Sequence, residues 1–220
     1  MRIDSELTDV ARSGGFFAIR TDESLNGWRP IVECYADGFS DLIASTAQNM
    51  GSSDLRVAAS LVQFSLASRL WSPAMACAVT HGVVPDFARL HRGDEFAELL
   101  LHEPSGVRLD NETDIVAALY GAVVERHLEP FAAGLRVKLA SGLLYGNAAS
   151  AMVAATRALY NIKPEHRDKS TRVARLLLDR LQFKGTGTVK YNLAFRRHSC
   201  CLYYRIADGA KCGDCGLSRK

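Results

Sequence analysis

Apolar residues recur along most of this chain at three- and four-residue steps, the spacing that lines them up on one face of an α-helix. Leu55, Ala58, Val62, Leu66 and Leu70 keep that step to Trp71, after the stop-and-cap sequence Gly51-Ser52-Ser53-Asp54. Ser72-Pro73 reads as the restart of a helix running through Cys77 towards His81, and Gly82 and Pro85 then break it. A short helix is expected around 94–101, followed by the polar turn EPSGVRLDN. The strongest periodicity joins Ile115, Val116, Leu119, Tyr120, Val123, Val124, His127 and Leu128, with Asn111 as the cap. Pro130 should kink or end that helix, and a further one should carry on to Leu144. From Asn147, NAASAMVAATRAL is rich in small residues, which let helices approach closely. Pro164 suits the first turn of a last long helix carrying Val173, Leu177 and Leu181, which Gly185-Thr186-Gly187 ends. Residues 14–38 are ambiguous between short extended pieces and a helix that opens near WRPIVECYAD and runs to about Met50.

The pattern changes in TVKYNLAFRRHSCCLYYRI, where β-branched and aromatic residues alternate with polar ones, so one or two short strands are expected. The predicted fold class is mainly α. A helical domain spans 1–185, and a small irregular, partly β cap spans 186–220.

Composition changes this picture little. The 220 residues, 48% hydrophobic and 23% charged, are those of an ordinary globular protein able to bury a core. The N-terminal MRIDSELTDV has no basic region leading into an apolar stretch, and no long uncharged apolar window follows, so neither a secretory signal nor a transmembrane segment is expected. The expected location is cytoplasmic, where thiols stay reduced.

Charge is less even. Between Lys190 and Lys220 lie seven basic side chains against Asp208 and Asp214, whereas the rest of the chain holds 20 basic and 22 acidic ones. The positive charge is gathered around the cysteines. It points to an anionic partner, an acidic protein surface, or compensation for a negatively charged metal–thiolate centre.

The cysteines carry the chemistry. Cys200 and Cys201 are adjacent, and Cys212 and Cys215 follow in the spacing CC-x10-C-x2-C. Thiolates are soft ligands suited to iron–sulfur clusters and zinc, and four of them satisfy a 2Fe–2S cluster. The spacing differs from a zinc ribbon, which places CxxC at both ends, but a structural zinc knuckle and a redox disulfide stay open on spacing alone. On a regular strand the vicinal pair would point to opposite faces, so a shared site requires a local turn or bulge there. Cys34 and Cys77 lie in apolar helical surroundings and read as core residues. His127 reads as a hydrogen-bonded core histidine. His198 is a candidate to tune or replace a ligand, and Tyr203 and Tyr204 are candidates to pack over the metal centre.

The cysteine motif and its flanks, FRRHSCCLYYR and CGDCGL, resemble the ferric siderophore reductase (FhuF-like) family. SRLWSPAMACAVTHGVVPD and YGNAASAMVAATRAL are similar to segments of that family's helical domain. The resemblance implies that Cys200, Cys201, Cys212 and Cys215 ligate a 2Fe–2S cluster and that the cap is an iron–sulfur segment. It further implies one-electron reduction of Fe(III) in an imported siderophore. No dinucleotide fingerprint, P-loop or CxxCH haem motif accompanies it, so the expected partners are a ferric siderophore and an external electron donor such as a ferredoxin or flavoprotein. Arg196, Arg197, Arg205 and Lys211 are the expected docking cations. The basic residues Lys169, Arg172, Arg180 and Lys184 read as a solvated helix face. The competing readings are a zinc-stabilised module binding nucleic acid or protein, and a 2Fe–2S redox sensor without turnover. Nucleic acid is not expected as a partner, since the basic stretch is short and no recognition helix follows the CxxC.

Overall fold

The computed structural model describes residues 1–21, 24–93, 98–207 and 209–218. In chain order it begins with helix α1 (Asp4–Ala11), a 3₁₀ turn (Gly15–Phe17), the two-residue strand β1 (Arg29–Pro30) and helices α2 (Ile31–Ala36) and α3 (Ser40–Asn49). The ambiguous stretch therefore holds both helix and strand. The helix opening near Trp28 does not run to Met50, because Asp37-Gly38-Phe39 breaks it. Gly38 has φ +66°, and an added Cβ there would lie 2.2 Å from the Gly134 carbonyl oxygen, so the break is also a close backbone crossing.

Helix α4 (Leu55–His81) is the central element. Asp54 caps it by accepting from the Arg56 amide at 3.1 Å, and Gly82, with φ +66°, ends it. The expected restart at Ser72-Pro73 does not occur, and the helix passes straight through Pro73. The Ser72 hydroxyl donates to the Ser68 carbonyl at 2.8 Å, and burial of the whole 70–79 stretch offsets the missing amide. Such apolar burial contributes about 1.5–3 kcal/mol per large side chain.

Strands β2 (Val83–Asp86), β3 (Leu90–Arg92), β4 (Leu99–Leu101) and β5 (Ser105–Arg108) follow. They make the antiparallel pair β2–β5 and the sheet β1-β3-β4. The helix expected over 94–101 is contradicted at Leu99–Leu101, which pairs with Leu90–Arg92 as strand, while 94–97 lie outside the described residues. β5 occupies what reads as a polar turn.

Helix α5 (Glu112–Tyr120) starts at Asn111, whose side chain accepts from the Asp114 amide at 2.8 Å. It continues through a π-helical stretch (Gly121–Leu128) into α6 (Glu129–Gly134), with Pro130 tolerated in that helix's first turn. The continuation to Leu144 is not seen. The helix stops at Gly134, whose close contact with the Tyr35 backbone leaves no room for a side chain, and Leu143 and Leu144 belong to α7 (Ser141–Ile162). A 3₁₀ turn (Pro164–His166) leads into α8 (Arg167–Leu178), which ends before the exposed Leu181. The hairpin β6 (Gly187–Val189)–β7 (Phe195–Arg197) meets the expectation of short C-terminal strands.

α7 lies against α4 along most of its length, and α8 and α5 pack around the pair. The small residues of α7 (Gly146, Ala148, Ala149, Ala151, Ala155) permit that approach, and all are buried. Trp71 and Tyr120 meet Phe183 at the centre in tilted and edge-on contacts, and Cys34 and Cys77 are core residues. Among the described residues, no helix is long and apolar enough to cross a membrane.

His127 is buried, with Nδ1 2.6 Å from the Tyr35 hydroxyl. Burial, with Arg126 nearby, pushes its pKa down to about 4. The fold therefore favours the neutral ring. Its contribution is complete above an unfolded value of about 6.5 and is lost as pH falls towards 4. Between pH 7 and 4.5 the wild type should lose about 2–3 kcal/mol more stability than His127→Gln in denaturant titrations. Equal losses would contradict this account.

Candidate metal centre

β7 delivers the C-terminal segment onto the α4–α7 pair. Side chains alternate along a strand, and in this hairpin the alternation sends Arg197 inward and Arg196 outward. Arg197 is 2% exposed. Its Nη2 donates to Cys212 Sγ at 2.7 Å and to Asp214 Oδ1 at 3.1 Å, while Nε lies 3.0 Å from Asp214 Oδ2. Nη1 donates to Asn147 Oδ1, and the guanidinium lies over the Phe64 ring, 5.8 Å from its centroid. Burial works against this charge, but Asp214 and the sulfurs of Cys201 and Cys212 more than offset it and hold the group protonated. Asp214 is held in turn by the Ser150 hydroxyl, and its carbonyl accepts the Arg197 amide at 2.9 Å.

A second chain of bonds fixes the vicinal cysteines. Asn147 Nδ2 donates to the Ser60 carbonyl at 3.1 Å and to its Oγ at 3.0 Å, and Ser60 Oγ donates to the Cys201 carbonyl at 2.8 Å. At Gly146 the segment touches the helix so closely that an added Cβ would lie 2.3 Å from Ser199 Oγ. β7 ends at Arg197, so Cys200 and Cys201 stand on irregular chain, and Leu202 follows in the left-handed region at φ 69°. Cys201 Sγ lies 3.7 Å from Cys212 Sγ, and the Cys200 and Cys215 side chains interact with each other. The Cys215 amide donates to the Cys212 carbonyl at 3.1 Å, closing the CxxC turn. The Leu202 amide donates to Cys200 Sγ at 3.3 Å. All six cysteines are free. Among the described residues, no three His, Cys, Asp or Glu side chains are gathered tightly enough to hold a single ion.

Burial pushes the Cys212 thiol up to about 12, against the pull of Arg197 and with Asp214 and Cys201 adding to the rise. Burial also raises Cys200, opposed by the Leu202 amide. Cys215 moves down: burial raises it, but the Leu217 amide and its neighbours Cys200 and Cys212 outweigh that effect. Metal loading must displace protons from these thiols, so it is favoured by rising pH.

Of the other expected site residues, Arg197 alone belongs to this network. Arg197 is not a surface cation, because its charge is buried and paired. Arg205 is held at 2.9 Å by Asp54, whose pKa falls to about 2 through Arg56 first and Arg205 among the rest. Lys211 is exposed, with Nζ 3.3 Å from the Leu217 carbonyl. Arg196 is partly exposed. Both His198 ring nitrogens are engaged, Nδ1 with the Gly185 carbonyl just before the hairpin at 2.8 Å and Nε2 with Thr188 Oγ1 on β6 at 3.1 Å. Tyr203 and Tyr204 are 37% and 41% exposed, so they do not form a dry cover. Lys169 donates to the Val79 carbonyl at the end of α4, and Arg172 pairs with Glu112.

Residues 197–216 match the model of the FhuF 2Fe-2S C-terminal domain. That stretch of the cap is FhuF-like. The matched stretch runs from the buried arginine to the residue after Cys215, so the FhuF-type segment coincides with what α4 and α7 hold in place. No curated protein matches the chain. Its cofactor is a 2Fe–2S cluster, which displaces the zinc reading. The residues present fit it. A four-thiol donor set is present, two of its sulfurs are in contact, and the Leu202 amide and Arg197 guanidinium point N–H donors at sulfur, as thiolate clusters require.

A buried cation bonded to a ligand sulfur favours the more negative, reduced state. Arg197→Gln should therefore lower the midpoint potential by on the order of 60 mV, a tenfold change in a one-electron equilibrium. A redox titration at matched iron content checks this, and an unchanged potential would leave Arg197 a purely structural role.

Proposed function

We propose that this protein reduces Fe(III) in a ferric siderophore, with Cys200, Cys201, Cys212 and Cys215 as the ligands of its 2Fe–2S cluster. The observation that carries this reading is the four-thiol set with Arg197 bonded to Cys212, lying within the FhuF-type segment. Bound there, the cluster supplies one-electron transfer. Hard oxygen chelators hold Fe(III) firmly and Fe(II) loosely, so a single electron is enough to release the metal.

The residues do the rest. Ser60, Asn147 and Ser150 hold the vicinal pair and the CxxC turn at fixed positions on two rigid helices, which limits rearrangement when the charge changes. Arg197 and Asp214 supply a fixed cation and its counter-charge beside the sulfur. Outer-sphere transfer needs no general acid, base or nucleophile, so surface access takes the place of a catalytic triad. An external one-electron carrier, a ferredoxin or a flavoprotein, completes the cycle, and the cytoplasm is the compartment that suits reduced thiols.

Anaerobic purification should yield about two irons and two acid-labile sulfides per chain, with visible bands that bleach with dithionite. Adding a ferric siderophore to the reduced protein should restore the bands as Fe(II) appears in a colorimetric trap. Substituting Ser for any one of the four cysteines should abolish both the bands and the Fe(II). Bands that return without Fe(II) would identify a sensor, and full activity in a cluster-free variant would end the proposal.

A further inference from the structure

A cleft of about 640 Å³ opens beside the cap, between the β6–β7 hairpin and the CxxC turn. Lys190 and Arg196 stand on the hairpin side, with Cys215 between Gly213 and Gly216 on the other. Its volume lies in the range of small-molecule sites.

Three observations give the cleft a character. First, two of its three basic side chains, Lys190 and Arg196, are unspent. Among the described residues, neither Lys190 nor Arg196 has an ion pair, and none of the residues lining the cleft is a carboxylate. Of the other expected docking cations, Arg197 is neutralised by Asp214 and Arg205 by Asp54, while Lys211 lies outside the lining of the cleft. Second, the cleft reaches a cysteine of the cap. Cys215 is only 2% exposed, and the cleft is where it meets the surface. Third, the wall beside that cysteine is bare backbone. An added Cβ at Gly213 would meet nothing within 4 Å, so a bound molecule can come close to Cys215 there.

We propose that this cleft binds a ferric chelate of net negative charge and that the electron leaves the protein on its Cys215 side. The proposal rests on the reductase reading above. Lys190 and Arg196 attract and orient the anion, in a concave wall that focuses their field. The step balances as a single electron: the chelate's Fe(III) becomes Fe(II), the cluster is oxidised by one electron, and a one-electron carrier protein restores it. No proton or bond changes place. A concavity of this size favours a small chelate over the broad surface of a donor protein.

The test separates binding from reduction by using gallium(III), which cannot accept the electron. Calorimetric titration of cluster-loaded protein with the trianionic gallium(III) tris-catecholate should show binding. The Lys190→Glu/Arg196→Glu double variant should weaken it at least about tenfold with its visible spectrum unchanged. An uncharged gallium(III) tris-hydroxamate should be far less affected by that charge reversal. Gly213→Phe, which fills the cleft, should weaken both complexes.

Trianion binding that is unchanged in both variants would overturn the proposal. So would charge reversal that slows reduction by an acidic carrier protein while gallium binding stays intact, since the surface would then belong to the donor. Tight, variant-sensitive gallium binding without Fe(II) from the matching ferric complex would uphold the cleft and remove the reductase reading. Fe(II) production at unchanged kcat/KM in both variants would do the reverse.

Discussion

A buried guanidinium holds the cap together. Arg197 reaches the CxxC turn through Cys212 and Asp214 and the helical body through Asn147. An isolated buried cation is strongly unfavourable, and removing one partner of such a pair costs about 3–5 kcal/mol. Its partners are therefore fixed as a set: Asp214 must face inward, and α7 must present Asn147 and Ser150 at this turn. The vicinal cysteines inherit their position from the same set, since the Ser60 that Asn147 orients also holds the Cys201 carbonyl.

The chain's charges divide accordingly. Adjacent arginines on one strand have opposite fates because successive side chains face opposite sides. Arg197 lies beside the sulfurs as an internal counter-charge, while Arg196 is left for solvent. The basic excess of the C-terminal stretch is thus partly spent inside the fold, at Arg197, and partly left at the surface, at Arg196.

Much of this was legible in the sequence. The cysteine spacing located the cap, Asn111 and Asp54 marked helix starts, and the alternation after Val189 announced a short strand. Other features were hidden for definite reasons. Pro73 reads as a break because local propensity opposes it, and only the burial on all sides of α4 carries the helix through. The strands β2 to β5 are three or four residues long, too short for a period to emerge beside Gly and Pro. The supporting polar residues Ser60, Asn147 and Ser150 left a faint mark, isolated polar side chains inside helices otherwise rich in small and apolar residues. A buried asparagine on such a face signals a specific partner, but nothing in the sequence says that the partner lies fifty residues away at Arg197.

The contact at Gly146 bears on how the centre is made. Ser199 rests on a bare patch of α7, and the adjoining hydrogen bonds come from side chains on two different helices. A short peptide carrying the four cysteines would have none of these supports. In small zinc domains the metal itself drives folding. Here two helices supply side-chain hydrogen bonds and a bare glycine face to the segment, so its seat on the body is built from groups outside the four cysteines.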